Sequence, residues 1–133
     1  MTEFETPIPA ETLPFQVTTK EEYGAIKYYI ATEGRDPKNY LRADLMLHSR
    51  EFRIEYFKAE IPNQGMGKRL LRAALEEAQK TSATCVKATI VTRESLVAMQ
   101  RVFGEDAISV RKLGDFGGNN TRAYLAYPLK PSR

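Results

Sequence analysis

Several kinds of residue are scarce in the 133-residue chain: it has one cysteine, one histidine and no tryptophan. Cys85 alone excludes a disulfide framework and a multi-cysteine zinc site, and His48 alone leaves no partner for a histidine-based metal cluster, so no metal is expected. No run approaches the ~20 apolar residues that a membrane-spanning helix needs. The first residues are acidic and proline-bearing where a secretory signal would be basic and then apolar, so the expected address is cytoplasmic, with no membrane partner. No block of one charge sign occurs either: 20 Lys and Arg are interspersed with 17 Asp and Glu, for a formal charge of +3. That distribution gives weak attraction for anions and argues against a nucleic-acid specialist. There is no internal repeat and no low-complexity segment. What is present is 42% hydrophobic residues, with seven tyrosines and six phenylalanines, enough for one packed domain of ordinary size.

Residues 1–14 carry Pro7, Pro9 and Pro14 among Glu3, Glu5 and Glu11 without a sustained period, and read as an extended or disordered arm. The single domain is expected over 15–133. Phe15 to Thr18 reads as a short strand. Thr19 with Glu22 forms a capping-box pattern, Tyr23, Ile26 and Ile30 recur at helical spacing, and Gly34 stands as a stop, so a helix is expected over 19–33. Two strands are the alternative there, because Ile26, Tyr28 and Ile30 also alternate; Gly24 weakens both readings. Leu41 to His48 and Phe52 to Lys58 read as an antiparallel hairpin turning at Ser49, Arg50 and Glu51. In its second strand Phe52, Ile54 and Tyr56 share one face and Glu51, Arg53 and Glu55 the other. Phe57 breaks that alternation, which predicts a bulge or a change of environment.

From Gly67 to Thr81, Leu70, Leu71, Ala74, Leu75 and Ala78 form one apolar stripe, the clearest helix in the chain. A strand follows over Cys85 to Val91. A second helix runs from Glu94 to Phe103 with Thr92 as N-cap and Gly104 as stop, and strands come at Ile108 to Leu113 and Thr121 to Leu129. The fold class is therefore mixed α/β (α+β), antiparallel in its first part, with a crossover helix between later strands.

Between the hairpin and the strong helix, residues 57–70 read Phe-Lys-Ala-Glu-Ile-Pro-Asn-Gln-Gly-Met-Gly-Lys-Arg-Leu. A strand end, a glycine loop and a helix N-terminus together form a site for phosphate, because first-turn amides are unpaired and glycine lets a ligand approach the backbone. Lys68, Arg69 and Arg72 add positive charge, Lys68 in the first turn itself. A Walker loop fails here, since Pro62 stands at its first glycine and Arg69 follows Lys68. The dinucleotide fingerprint fails as well, with Leu70 where a third glycine or alanine belongs and an antiparallel hairpin ahead of it.

The stretch Pro62-Asn63-Gln64-Gly65-Met66-Gly67 resembles the pyrophosphate motif of the GNAT family of N-acetyltransferases, Arg/Gln-x-x-Gly-x-Gly/Ala ahead of a helix. Pro62 departs from its first position. The order of elements over most of residues 41–129 is also similar to that family, and the segment before Leu41 is short for it, which implies an abbreviated N-terminal half on a mostly antiparallel sheet flanked by helices. The resemblance implies an acyl-CoA-dependent N-acyltransferase, with acetyl-CoA as cosubstrate and a small-molecule amine or a protein amino group as acceptor. On that reading the pantetheine lies in a gap between splayed strands and pairs with the backbone of Tyr56 and Phe57. The pyrophosphate rests on the amides of Asn63, Gln64, Gly65, Met66, Gly67 and Lys68. The reaction it implies is direct aminolysis of the thioester, with a backbone N–H near Phe57 or Lys58 facing the oxyanion. Glu55 is the first candidate for the base, with Glu60 and His48 behind it.

Where the family often has an Asn and a Tyr in the penultimate helix, the matching positions are Ser95 and Val102. Either another group, such as Tyr124 or Tyr127 on the last strand, then supplies the proton to the leaving thiolate, or solvent does, or the domain no longer catalyses transfer. The bland readings stand beside these: Glu55 as a solvent-facing strand carboxylate, Arg69 and Arg72 as a solvated helix face, Cys85 as a small buried hydrophobe, and Phe116 to Asn120 as a plain turn. A catalytically inactive module of the same fold is the alternative function, and a basic face of Arg69, Arg72, Arg101 and Arg111 is the nucleic-acid alternative. A homodimer, with the arm covering a neighbour's sheet edge, is left open.

Overall fold

The computed structural model describes residues 15–32, 39–59, 65–90, 92–112 and 121–130. In chain order they form β1 (Phe15–Glu22), β2 (Ala25–Thr32), β3 (Tyr40–Met46), β4 (Glu51–Lys58), α1 (Met66–Gln79), β5 (Cys85–Ile90), α2 (Arg93–Phe103), a 3-10 turn (Glu105–Ala107), β6 (Ile108–Lys112) and β7 (Thr121–Pro128). The strands make one seven-stranded sheet in the order β1-β2-β3-β4-β5-β7-β6. Every neighbouring pair is antiparallel except β4 and β5, which are parallel and joined through α1.

The helix expected over 19–33 is not there; β1 and β2 form a hairpin instead, the second of the two readings. Tyr23 (φ 51°) and Gly24 (φ 79°) both have positive φ, the backbone of a two-residue hairpin turn whose twist matches the flanking strands. Ahead of β3 the described residues form strands only. Parallel pairing of β4 with β5 also removes one of the two objections to a dinucleotide loop. The other stands, because Leu70 is fully buried where that loop needs a residue without a large side chain.

Both helices pack on one face of the sheet. Leu70, Leu71, Ala74 and Ala78 of α1 and Met99 and Phe103 of α2 are buried against Ile30, Leu41, Ala43, Leu45, Phe52, Ile54, Val86, Ala88, Ile90, Ala123 and Leu125. Each leucine so enclosed contributes about 1.5–3 kcal/mol. Tyr28 lies edge-on to Phe52, and Phe103 to Tyr127, with centroids 5.2 Å apart in both pairs. Thr92 caps α2 by accepting from Ser95 N–H, and Gly104 ends it, as the sequence predicts. Cys85 is half-buried. No helix among the described residues is long and apolar enough to cross a membrane.

The opposite face carries Lys27, Tyr29, Arg42, Asp44, Arg53, Glu55, Lys87, Thr89 and Tyr124, and no described helix covers it. Rings of Tyr29, Tyr40 and Tyr56 run side by side across three strands there, 5.6 and 5.8 Å apart.

Candidate functional site

The site begins with an interruption in β4. Along the β3–β4 pair, Ala43 lies opposite Ile54 and Arg42 opposite Tyr56, so Glu55 is the extra residue of a bulge. Ile54 faces the helices, Glu55 and Tyr56 both face outward, and Phe57 turns in again opposite the buried Leu41. The broken alternation at Phe57 predicts this. It also corrects the assignment of Tyr56: its side chain is 52% exposed and joins the tyrosine row of the outer face, away from Phe52 and Ile54.

At the same residue β4 parts from β5. Their pairing runs from Glu51 opposite Cys85 to Ile54 opposite Ala88 and stops, while β5 continues to pair with β7 through Ile90. A bulge strengthens local twist, so the two parallel strands diverge. The β5-facing backbone edge of Glu55–Lys58 has no strand partner among the described residues, and a wedge opens there.

The N-terminus of α1 stands beside that wedge. Gly65, the residue before the helix, has φ 78° and ψ 2°, a left-handed conformation natural to glycine, and offers no side-chain cap. The helical ladder starts with Arg69 N–H donating to Gly65 C=O at 3.1 Å. Ahead of it the amides of Met66, Gly67 and Lys68 have no acceptor among the described residues. A Cβ on Gly67 would lie 3.4 Å from Phe57 Cε2 and 3.9 Å from Ala98 Cβ, which fixes how closely β4, α1 and α2 meet.

A groove of about 600 Å³ follows this junction. Phe57, Gly65 and Gly67 line it, and among the described residues Lys58, Lys68, Arg93 and Arg101 bring four cations to it against the one carboxylate of Glu94. Arg69, in the same helical turn, does not line the groove; its Nε is enclosed and has no partner among the described residues. Free amides, a helix dipole and excess positive charge all favour a polyanion here. Arg93, Arg101 and Lys58 are the contributors that sequence reading missed as groove residues; only sheet order brings α2 against the end of β4.

On the outer face the wedge meets two shallow grooves, of about 520 and 660 Å³, and Glu55 lines both. Tyr124 of β7 lines the first of them together with Glu55. Tyr127 does not: it lies on the helix side against Phe103. His48 sits in the β3–β4 turn, at the end of the sheet remote from the wedge, so it cannot act as a base there. Ser95 lines the helix-side groove with its hydroxyl accepting from Thr92 at 2.7 Å, and Val102 is half-buried. Glu60, Pro62, Asn63, Gln64 and the Phe116–Asn120 turn lie outside the described residues, as does the arm over 1–14.

No protein-family model matches the sequence, and no curated protein matches it. Solved structures do match in fold. An acetyltransferase of Bacillus subtilis in complex with CoA superposes with a TM-score of 0.61 at 13% identity, over 88% of this chain and 100% of that one. The ribosomal-protein-S18-alanine N-acetyltransferase of Escherichia coli gives a TM-score of 0.60 at 12% identity, over 85% and 74%. A GNAT-superfamily phosphinothricin acetyltransferase of Sinorhizobium meliloti in complex with AcCoA gives 0.57 at 17%, over 83% and 67%. The chain has the fold of the GNAT N-acetyltransferases.

Proposed function

We propose that the protein is an acyl-CoA-dependent N-acyltransferase that uses acetyl-CoA as its acyl donor. The observation that carries this reading is the loss of β4–β5 pairing beyond Ile54 and Ala88, immediately beside the open N-terminus of α1. An extended pantetheine chain can replace the missing strand partner and pair with the backbone at Tyr56 and Phe57. The diphosphate then reaches the amides of Gly65, Met66, Gly67 and Lys68, and the cationic rim of Lys58, Arg93 and Arg101 meets its remaining charge. In the motif, Asn63 and Gln64 extend the same run of donors.

The chemistry proposed for these residues is direct transfer. Glu55 removes a proton from the acceptor's ammonium group on the outer face, and the freed amine nitrogen bonds to the thioester carbonyl carbon. A backbone N–H at Phe57 or Lys58, left without a strand partner, faces the oxygen as it gains charge. The carbon–sulfur bond breaks, Tyr124 gives its proton to the sulfur, and the second proton on the adduct's nitrogen leaves through solvent, which reprotonates the tyrosinate, so that an amide and a free thiol are formed and the proton taken by Glu55 is released to solvent. Ser95 and Val102 supply no acid to this step, and Tyr124 makes good that lack from the other side of the wedge.

Calorimetric titration with acetyl-CoA tests the binding half. Saturable heat is expected, and its absence at millimolar ligand removes the proposal. Release of free thiol that depends on both acetyl-CoA and an added amine tests the chemistry. Binding without any such release would favour the inactive-module alternative.

A further inference from the structure

The outer face sorts its charges into pairs. Lys20 meets Glu22 at 3.4 Å and Lys27 meets Asp44 at 3.7 Å. The Glu51 carboxylate takes both Arg53 and Lys87, each at 2.8 Å. With these removed, two charged groups lining the grooves on this face have no partner among the described residues: the Arg42 guanidinium and the Glu55 carboxylate. They are neighbours, because Arg42 pairs across the strands with Tyr56, the residue after Glu55, and the bulge keeps Glu55 on the outward side. Both line the same groove, and no ion pair within 4.0 Å joins them. Strands in such a pair are about 5 Å apart, so a free cation and a free anion face one groove from adjacent strands, Glu55 standing just past the last β4–β5 pair. Tyr29 and Tyr56 flank Arg42 in register on the two neighbouring strands.

We propose that the acceptor is a small amine that also carries a carboxylate, an amino-acid class substrate, and that Arg42 is the residue that selects it. The guanidinium binds the carboxylate through two parallel N–H donors, a geometry that suits Arg better than Lys. The ammonium end is thereby held at Glu55, the group that deprotonates it. An amine without the carboxylate leaves Arg42 unmatched and is held by Glu55 alone. This inference rests on the acyltransferase reading for the meaning of the site.

The test is a calorimetric titration of the protein, with CoA present so that no turnover occurs, against single free amino acids. For each that binds, its carboxamide, its decarboxylated amine and a tripeptide with that residue first and a blocked C-terminus are titrated too. The free acid is expected to bind at least tenfold more tightly than the other three. Arg42→Ala should abolish that preference, Arg42→Lys should keep part of it, and affinity for CoA should be unchanged in both. Equal binding of acid and carboxamide, tighter binding of the blocked peptide, or a preference that survives Arg42→Ala overturns the inference. So does the failure of every amino acid to bind while CoA binds. Amino-acid binding with the stated preference but no affinity for CoA would instead overturn the acyltransferase reading and leave the Arg42 assignment standing.

Discussion

Gly67 separates folding from ligand binding. It is the second residue of α1, and it lines the cationic groove. An alanine there gains about 0.5–1 kcal/mol from helix propensity. Its Cβ at 3.4 Å from Phe57 Cε2 makes an ordinary, close contact, so little of that gain is lost. The first turn of α1 holds no acidic residue, and a glutamate at this position meets the positive end of the helix dipole, worth about 0.3–1 kcal/mol. Gly67→Ala and Gly67→Glu should therefore melt at or a few degrees above the parent temperature. Coenzyme affinity should move the other way. A carboxylate about 5 Å from a doubly charged diphosphate, in a half-exposed groove of effective dielectric constant around 40–60, is opposed by about 2–3 kcal/mol, or roughly a hundredfold in Kd. Gly67→Ala, which only narrows the approach, should lose far less. Thermal melts and acetyl-CoA calorimetry on the three proteins decide the matter. A glutamate variant that binds within a few-fold of the parent would show that no diphosphate rests on this helix end, and a glutamate variant that fails to fold would show that the packing at Phe57 and Ala98 has been misjudged.

Other substitutions probe separate parts of the structure. Glu55 is exposed and has no partner among the described residues, so Glu55→Gln should leave stability within about 0.5 kcal/mol; acetyl transfer at neutral pH should fall about 10²- to 10⁴-fold with CoA affinity retained, and raising the pH should recover part of it, as the amine deprotonates unaided. Lys87 and then Arg53, by hydrogen bonds, hold the Glu51 carboxyl below its ordinary range. The contribution of that folded-state lowering is full above the unfolded value of about pH 4 and is lost as the pH falls through the lower folded value. Melting temperature followed from neutral to acid pH should accordingly drop more steeply in the parent than in Glu51→Gln. Leu71 is wholly enclosed between α1 and the sheet, and Leu71→Ala should cost about 3–5 kcal/mol in urea unfolding.

How much of this can be read without coordinates differs from element to element, for physical reasons. Helices α1 and α2 announce themselves because burial of one stripe imposes a 3.6-residue period on leucines and alanines, and because Thr92 and Gly104 have chemical reasons to sit at helix ends. The β1–β2 hairpin is hidden by its turn. A two-residue loop with both φ positive is usually written Asn-Gly or Asp-Gly; here the first position is Tyr23, a residue that adopts that backbone only at some cost. With the turn signal weakened, the chance spacing of Thr19 and Glu22 imitates a helix cap, and the decisive fact becomes the pairing of Ile26 and Ile30 with β3, which is not local.

The candidate site divides in the same way. Its glycine loop is contiguous and therefore legible, and so is the bulge, because Phe57 breaks a period of two within a single strand. The wedge needs two strands separated in sequence by the whole of α1, and the pairing of charges on the outer face needs four. In the sequence Glu51, Arg53 and Glu55 read as the polar side of one alternating strand, Lys27 falls within the expected helix, and nothing local sets Arg42, Asp44 or Lys87 apart. Only the registers of β2 with β3 and of β4 with β5 distinguish those that neutralise each other from Arg42, which no described residue neutralises. A binding group on a sheet face is defined by what its lateral neighbours leave over, and that remainder is a property of the assembled sheet that no single strand contains.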